Sequence, residues 1–428
     1  MIAAPPPPLH PQNMSNITTT NTTCHRQQHP AALFPTWTRC LSNNPWVDHS
    51  SFSLPTRAPP PGELAAHHAW LLNATRLYRS LGPHRHAGYK GPWIENHWVR
   101  SFCCEEPLET FGGLVPIFVL WTDLMLRNRV RYAESEFEAI LALLRPDVLY
   151  VTVSQSDEGL YPWPQRGLQA RTINVLVLSA GGYGHVPLPL IKGEQGLVEP
   201  RAPPFPVTLG FAGTANLMRE AWARDDLPKC RAHLKSAVRE AARRLNSSYT
   251  ERGVKAGEPA GLLNPDAVLQ GANVSVYHGP EWRAFMADTM LNLAPRGYGR
   301  SSFRLTEAIQ MGRVPVYVYD DMEWLPYRGS PASVASSIGY SVRFDEFLHW
   351  CGSSVADVLR RQDTSAYQRK LRRLLSVRDS HYTYAGVVQH IRLFLCDPLS
   401  SDLRCERHPV HSKGFDLGSP ERYANEMA

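Results

Sequence analysis

The stretch from Leu291 to Tyr327 constrains the fold more than any other part of the chain. It begins with an apolar run that ends at Pro295, and a loop rich in glycine and arginine follows. A helical pattern spans Phe303 to Met311, with a glycine directly after it where a left-handed C-terminal residue is expected. Val314 to Tyr319 is then a second apolar run. A strand, a loop, a helix and a strand in this order predict parallel pairing in an α/β fold.

The loop of this stretch carries the chemistry of an anion site. Either Ser301 or Ser302 could cap the helix, whose first amides and partial positive charge attract anions. Glu307 lies one helical turn further on, where it could accept hydrogen bonds from ribose or sugar hydroxyls. Forked donors suited to phosphate come from three arginines, Arg296, Arg300 and Arg304. The pattern predicts a phosphorylated sugar-nucleotide site, and an ordinary turn with solvated arginines is the alternative.

The motifs PRGYGRSS, RLTEAIQMG and RVPVYVYDD resemble the signature of exostosin-like glycosyltransferases. Phe211-Ala212-Gly213, with Arg219 a few residues on, is similar to a second element of that family. Two positions depart from the pattern, since Tyr327 replaces a phenylalanine and Arg313 replaces an apolar or small residue. The resemblance is clear over residues 209–327 and weaker over residues 148–190.

The resemblance implies an α/β fold of two Rossmann-like domains that face each other across a cleft, the GT-B glycosyltransferase architecture. It implies that the C-terminal half holds a nucleotide sugar, with no metal or other cofactor, and that the N-terminal half holds the acceptor. Glu307 would bind the ribose or the sugar, and Gly299 stands where retaining enzymes carry a glutamate, which favours inversion. The groups assigned to the diphosphate are Arg296, Arg304 and the amides of Ser301 and Ser302, with Arg219 as a supporting charge.

A chain of 428 residues is long enough for two domains. Residues 1–62 are rich in proline, threonine and asparagine and are predicted to form a disordered stem or linker. We expect an N-terminal Rossmann-like acceptor domain over 63–204, a nucleotide-sugar domain over 205–395 and a polar tail over 396–428. The last helix is expected to pack across the other domain, as terminal helices do in two-lobed glycosyltransferases.

The N-terminal half also shows strands that alternate with a helix. Strands are predicted near 114–120, 148–153 and 174–178, and a helix is predicted over 131–144. Because ligands bind at the carboxyl ends of parallel strands, Asp157 and Glu158 are candidate bases, with a solvated turn as the alternative. His185 follows a glycine-rich loop and could face the cleft, although a lone histidine is more often structural.

Charge and cysteine usage bear on the partners and the compartment. The net charge of +6 is scattered and gives no argument for nucleic acid. Eight cysteines and six Asn-x-Ser/Thr sequons fit the lumen of the secretory pathway, with Cys396 to Cys405 as a candidate disulfide loop. Residues 1–8 have neither a basic segment nor an apolar run, so we expect membrane attachment only through an anchor that this chain lacks. Asp320 and Asp321 are read as structural or sugar-contacting rather than as metal ligands.

The predicted function is transfer of a sugar from a nucleotide sugar to a glycan or glycoprotein acceptor, in the Golgi lumen. A noncatalytic sugar- or nucleotide-binding protein with the same fold is the alternative from another class. A glycan phosphorylase also has two lobes, but it needs a lysine for pyridoxal phosphate, and no lysine lies near the central loop.

Overall fold

The structure, a computed structural model, describes residues 30–42, 53–81, 91–103, 106–127, 134–157, 159–160, 172–199, 205–213, 229, 274–297, 299–319, 322–351 and 365–406. These residues form a mixed α/β fold with two parallel sheets, one of four strands and one of five. The chain passes from the first sheet to the second close to residue 204, where the sequence predicts the boundary between two halves.

The first sheet contains its four strands in chain order, and each pairs in parallel with the next. Its central strands are buried along their whole length, as strands of a parallel sheet are when both faces are covered. The strands are β1 (Val115–Pro116), β2 (Tyr150–Ser154), β3 (Val175–Ser179) and β4 (Val186–Pro187). The helices of this half are α1 (Pro30–Ser42), α2 (Pro61–Ala74), α3 (Ile94–Phe102), α4 (Trp121–Arg127) and α5 (Glu134–Ala142).

The second sheet has the order β6-β5-β7-β8-β9, again with parallel pairing throughout. Strand β7 therefore lies at its centre, and the predicted phosphate loop follows the end of this strand. The strands are β5 (Val207–Ala212), β6 (Val274–Tyr277), β7 (Thr289–Pro295), β8 (Val314–Tyr319) and β9 (Tyr340–Arg343). The helices of this half are α6 (Trp282–Ala287), α7 (Phe303–Gln310), α8 (Phe347–Trp350), α9 (Ser365–His381) and α10 (Tyr384–Cys396).

Helix α10 packs on the N-terminal half, as the sequence predicts. Its Tyr384 ring stacks on His97 with 3.8 Å between ring centroids, and Phe394 meets Trp37 edge-on at 5.5 Å. Arg392 forms an ion pair with Glu106. The helix thus belongs to one apolar core that also contains side chains from both sheets.

Helix α1 corrects the prediction that residues 1–62 are disordered. Its apolar side chains Leu33, Trp37 and Leu41 are buried, and Trp37 Nε1 donates a hydrogen bond of 2.8 Å to the Gly112 carbonyl. The prediction is wrong here because the proline-rich average of the segment hides a thirteen-residue stretch whose apolar residues share one helical face. Residues 1–29 lie outside the described residues.

A disulfide between Cys40 and Cys405 fixes helix α1 to the C-terminal segment. The predicted Cys396–Cys405 loop is therefore wrong, since Cys405 bonds a residue 365 positions earlier. The segment after α10 is also less exposed than a polar tail would be, because Leu403 is completely buried. The short spacing in the sequence favours a Cys396–Cys405 loop, but the packing of α1 on α10 brings Cys40 next to Cys405.

We expect the double substitution Cys40→Ser and Cys405→Ser to lower the unfolding free energy by about 2–5 kcal/mol. The bond closes a very long loop and so restricts the unfolded chain strongly. Thermal unfolding of the double variant and the parent, both without reductant, measures the effect. An unchanged melting temperature would show that this disulfide does not stabilise the folded protein.

Glu95 is a fully buried carboxyl group at the junction of α3, α4 and β2. Its Oε1 accepts hydrogen bonds from the Thr122 hydroxyl at 2.8 Å and from the Gln155 amide at 2.8 Å, whereas Oε2 has no partner. Burial raises the pKa of Glu95 from 4.5 to about 7, and the neighbouring Asp123 acts in the same direction. The carboxyl group therefore holds its proton in the folded protein at a pH where the unfolded chain has lost it.

This raised pKa predicts a loss of stability as the pH rises. The stabilising contribution of Glu95 to the unfolding free energy is complete below pH 4.5 and is lost as the pH rises through 7. The total change is about 3 kcal/mol. Glu95→Gln cannot ionise, so the unfolding free energy of this variant should depend less on pH in that window. Urea unfolding at pH 5 and pH 8 tests this, with the exposed Glu109→Gln as control. Parallel pH profiles for Glu95→Gln and the parent would contradict it.

No helix among the described residues is both long and apolar enough to span a bilayer.

Candidate functional site

The loop between β7 and α7, residues 296–302, lies at the carboxyl end of the central strand of the second sheet. Arg296 continues the pairing with β8, because its amide donates a hydrogen bond of 2.9 Å to the Val318 carbonyl. Its side chain is 3% exposed, and Nε donates a hydrogen bond of 3.0 Å to the Gly299 carbonyl. Arg296 thus fixes the shape of the loop, and its predicted contact with a diphosphate stays a prediction.

Arg300 connects the loop to both halves of the chain. Its guanidinium lies 4.6 Å from the ring centroid of Tyr183, in the N-terminal half, and its carbonyl accepts a hydrogen bond from the Tyr317 hydroxyl. Only 1% of the residue is exposed. The buried Arg300 therefore connects the loop to Tyr183 in the N-terminal half and to Tyr317 in the C-terminal half.

Glycines allow the two halves to touch at this loop. A Cβ atom on Gly299 would lie 2.1 Å from the Gly181 carbonyl oxygen and 2.7 Å from Asp157 Oδ1. A Cβ atom on Gly182, whose φ is +125°, would lie 2.4 Å from the Arg300 amide nitrogen. No side chain fits at either position, so the loop rests directly on the backbone of the glycine-rich segment 180–184.

Asp157 is brought against the loop by this contact. It lies in the turn after β2, partly buried, so a carboxylate from the first sheet stands next to the carboxyl end of the second. His185, the other candidate on this side, is buried, and its Nδ1 accepts a hydrogen bond of 3.0 Å from the Val177 amide. His185 is therefore structural, whereas Asp157 remains a candidate base.

Ser301 and Ser302 are both 6% exposed and lead into α7. Ser302 occupies the N-cap position with an extended backbone, but its side chain makes no capping hydrogen bond. The prediction that a serine hydroxyl caps the helix is wrong for this residue, although the predicted start of the helix is confirmed. The Gly297 amide donates a hydrogen bond of 3.0 Å to the Ser301 carbonyl, which closes the loop from the other side.

Glu307 and Arg304 form an ion pair on one face of α7. Glu307 is 4% exposed, and Arg304 lies over the ring of Trp282 with its guanidinium carbon 4.4 Å from the ring centroid. The aromatic ring and the carboxylate together hold the arginine in one orientation. Two of the predicted donor-binding residues are thus in direct contact.

Arg304 contacts the Glu307 carboxylate, and the charges of Lys192 and Arg283 also act on it; we call these four residues the Glu307 cluster: Glu307, Arg304, Lys192 and Arg283. Burial raises the pKa of Glu307, and the three cations oppose that change. The cluster carries a formal excess of two positive charges, which an anionic ligand would balance. Lys192 comes from the N-terminal half, so the cluster draws its charge from both parts of the chain.

Lys192 and Arg283 were not predicted from the sequence. The segment that joins the two sheets runs along α7. The backbone amide of Gln195 donates a hydrogen bond of 2.9 Å to Gln310 Oε1, and the side-chain oxygen of Gln195 accepts one from Arg283. Arg378 also donates to the Gln195 carbonyl at 3.2 Å. These bonds fix the segment that carries Lys192, and no motif in the sequence marks that segment.

Four of the predicted residues cannot be placed. Arg219, Glu158, Asp320 and Asp321 lie outside the part of the chain that the structure describes.

The resemblance to exostosin-like glycosyltransferases rests on the sequence motifs alone. No family model matches this chain, and no curated protein matches it either.

Proposed function

We propose that this protein is an inverting glycosyltransferase of GT-B architecture that transfers a sugar from a UDP-sugar to a hydroxyl group of a glycan or glycoprotein. One observation carries the proposal above the others. A buried carboxylate with three cations lies beside a glycine-rich loop that also contacts Asp157 from the other half. A nucleotide sugar presents the complementary groups, namely two phosphates and several hydroxyls.

In this proposal the donor binds at the Glu307 cluster and at the start of α7. Arg304 and Lys192 bind the diphosphate together with the amides of Ser301 and Ser302, and Arg219 supports them. Glu307 accepts hydrogen bonds from the ribose or the transferred sugar. Arg296 keeps the loop in the shape that presents those amides, through its bond to Gly299.

The reaction needs a base for the acceptor and charges for the leaving group. Asp157 takes the proton from the acceptor hydroxyl while the oxygen of that hydroxyl bonds to the anomeric carbon of the donor sugar. The bond between that carbon and the diphosphate oxygen breaks at the same time, and the cations of the cluster stabilise the departing UDP. The donor is a substrate, and no metal or other cofactor is assigned to this site.

The cysteines and one sequon support a proposal for the compartment. The Cys40–Cys405 disulfide and the exposed sequon at Asn73 fit an oxidising lumen, and we propose the Golgi as the site of action.

Release of UDP from a panel of UDP-sugars tests the proposed function. UDP-glucuronate, UDP-galactose, UDP-xylose and UDP-arabinose are each incubated with the protein and a mixture of glycan acceptors. We expect one donor to yield UDP faster with acceptor than without it. Saturable donor binding without any release would favour the noncatalytic binding protein, because that alternative keeps the same cluster and lacks only the transfer step.

A further inference from the structure

Three side chains of types that ligate metals meet near the C-terminal end of the described chain, and none of them belongs to the Glu307 cluster. His381 is the last residue of α9, His390 lies within α10, and Asp402 belongs to the segment after that helix. One ligand atom from each lies within 4.8 Å of the other two. We call this group the His-His-Asp cluster.

Hydrogen bonds orient His381 toward Asp402. His381 Nδ1 shares a hydrogen bond of 2.8 Å with the Ser380 hydroxyl, and His381 Nε2 lies 3.0 Å from Asp402 Oδ2. When the ring proton is on Nδ1, the Ser380 oxygen accepts it and Nε2 presents a lone pair beside the carboxylate, so both can bind one metal ion.

A hydrogen bond between His381 and Asp402 accounts for this pair without a metal, but it leaves His390 unexplained. His390 is 7% exposed, and its Nδ1 is completely enclosed without a hydrogen-bond partner. The rings of His381 and Tyr327 pack against it, with centroids 4.1 Å and 4.9 Å away. A buried nitrogen without a partner is destabilising, and a bound metal would satisfy it.

We propose that the His-His-Asp cluster binds one divalent transition-metal ion, with Zn²⁺ as the best match, through His381 Nε2, His390 Nδ1 and a carboxylate oxygen of Asp402. Two imidazoles and one carboxylate form a ligand set that suits zinc. Zinc ligands lie about 3.3 Å apart in a tetrahedron, so the side chains need to close by at most about 1.5 Å.

Water can supply the fourth ligand, because the Asp402 side chain is 34% exposed. The Ser380 hydroxyl supplies the outer hydrogen bond that metal-bound histidines commonly make. Bound metal would connect α9, α10 and the segment that carries Cys405. We therefore assign a structural role to this site, independent of the proposed glycosyltransferase activity.

Titration of the full chain with zinc tests the site. Protein stripped with EDTA is titrated with ZnCl₂ by calorimetry, and Co²⁺ is added separately to record its visible absorption. We expect one Zn²⁺ per chain, a melting temperature several degrees higher, and the intense absorption of tetrahedral Co²⁺ with nitrogen and oxygen ligands.

Asp402→Asn and His390→Gln should each reduce zinc affinity at least tenfold and abolish the Co²⁺ absorption. His278→Gln, an exposed histidine elsewhere, is the matched control and should bind as the parent does. Because Asp402 is partly exposed, its asparagine variant is expected to fold even if His390→Gln does not. Failure of the parent to bind one zinc, or unchanged binding by Asp402→Asn, would overturn the proposal and leave a hydrogen bond between His381 and Asp402 as the explanation.

Discussion

Glu307→Gln is expected to reduce donor turnover by about 100-fold or more. Glutamine keeps the size of the side chain but removes the negative charge that holds Arg304 and would accept hydrogen bonds from the donor hydroxyls. Loss of a charge-assisted hydrogen bond in a buried site costs about 3 kcal/mol, which corresponds to this factor. Measurement of kcat/KM for UDP release gives the effect directly.

The matched control for this substitution is Glu281→Gln. Glu281 precedes α6, on the element that carries Trp282 and Arg283, but it is exposed and makes no capping bond. Both substitutions remove one carboxylate, so a general effect of charge would appear in both. The assignment of Glu307 fails if Glu307→Gln, folded as shown by circular dichroism, releases UDP at the rate of the control.

Gly299→Ala should impair the same reaction by a different cause. The added Cβ atom would lie 2.1 Å from the Gly181 carbonyl oxygen and 2.7 Å from Asp157 Oδ1, and the first of these is a backbone atom that cannot turn away. The loop must move away from the N-terminal half, at a cost of about 1–3 kcal/mol in unfolding free energy. Displacement of about 1 Å between donor and base lowers turnover by about 100-fold.

Gly297→Ala provides the control within the same loop. A Cβ atom there meets only the Ser301 carbonyl oxygen, at 3.8 Å, which is ordinary contact. The pattern of the resembled family includes Gly297, in its Pro-Arg-Gly loop, whereas the packing singles out Gly299. Thermal unfolding and UDP release should therefore separate the two variants, and equal losses would show that the halves do not touch as described.

The sequence predicts the second sheet well where the pattern is local. Strand β8 has the predicted bounds, Val314–Tyr319, and α7 begins at the predicted Phe303. Gly312 has the expected left-handed conformation, with φ of +71°. Apolar runs, turn glycines and helical spacing all concern neighbouring residues, so a single sequence carries enough information to place them.

Long-range contacts decide the features that the sequence does not reveal. The Cys40–Cys405 bond and the burial of α1 depend on how α1 packs against α10. Lys192 approaches Glu307 because the segment between the sheets runs along α7, and no periodic pattern marks that path. These contacts depend on how distant segments pack together, which local patterns do not determine.

The candidate site combines both kinds of information. Glu307 and Arg304 lie on one face of a predicted helix, so their pairing follows from a spacing of three residues. Asp157 was predicted at the edge of the first sheet, but its contact with Gly299 depends on how the two halves meet. The sequence therefore predicts the individual groups, and the fold brings them together.

Hydrogen–deuterium exchange with and without UDP tests the central claim most directly. If the loop and α7 bind the nucleotide diphosphate, UDP should slow exchange in peptides that cover residues 296–310 and 181–192. Peptides from α1, residues 30–42, should exchange at the same rate in both samples. Bound UDP that protects other segments and leaves residues 296–310 unchanged would contradict the assignment of this loop as the donor site.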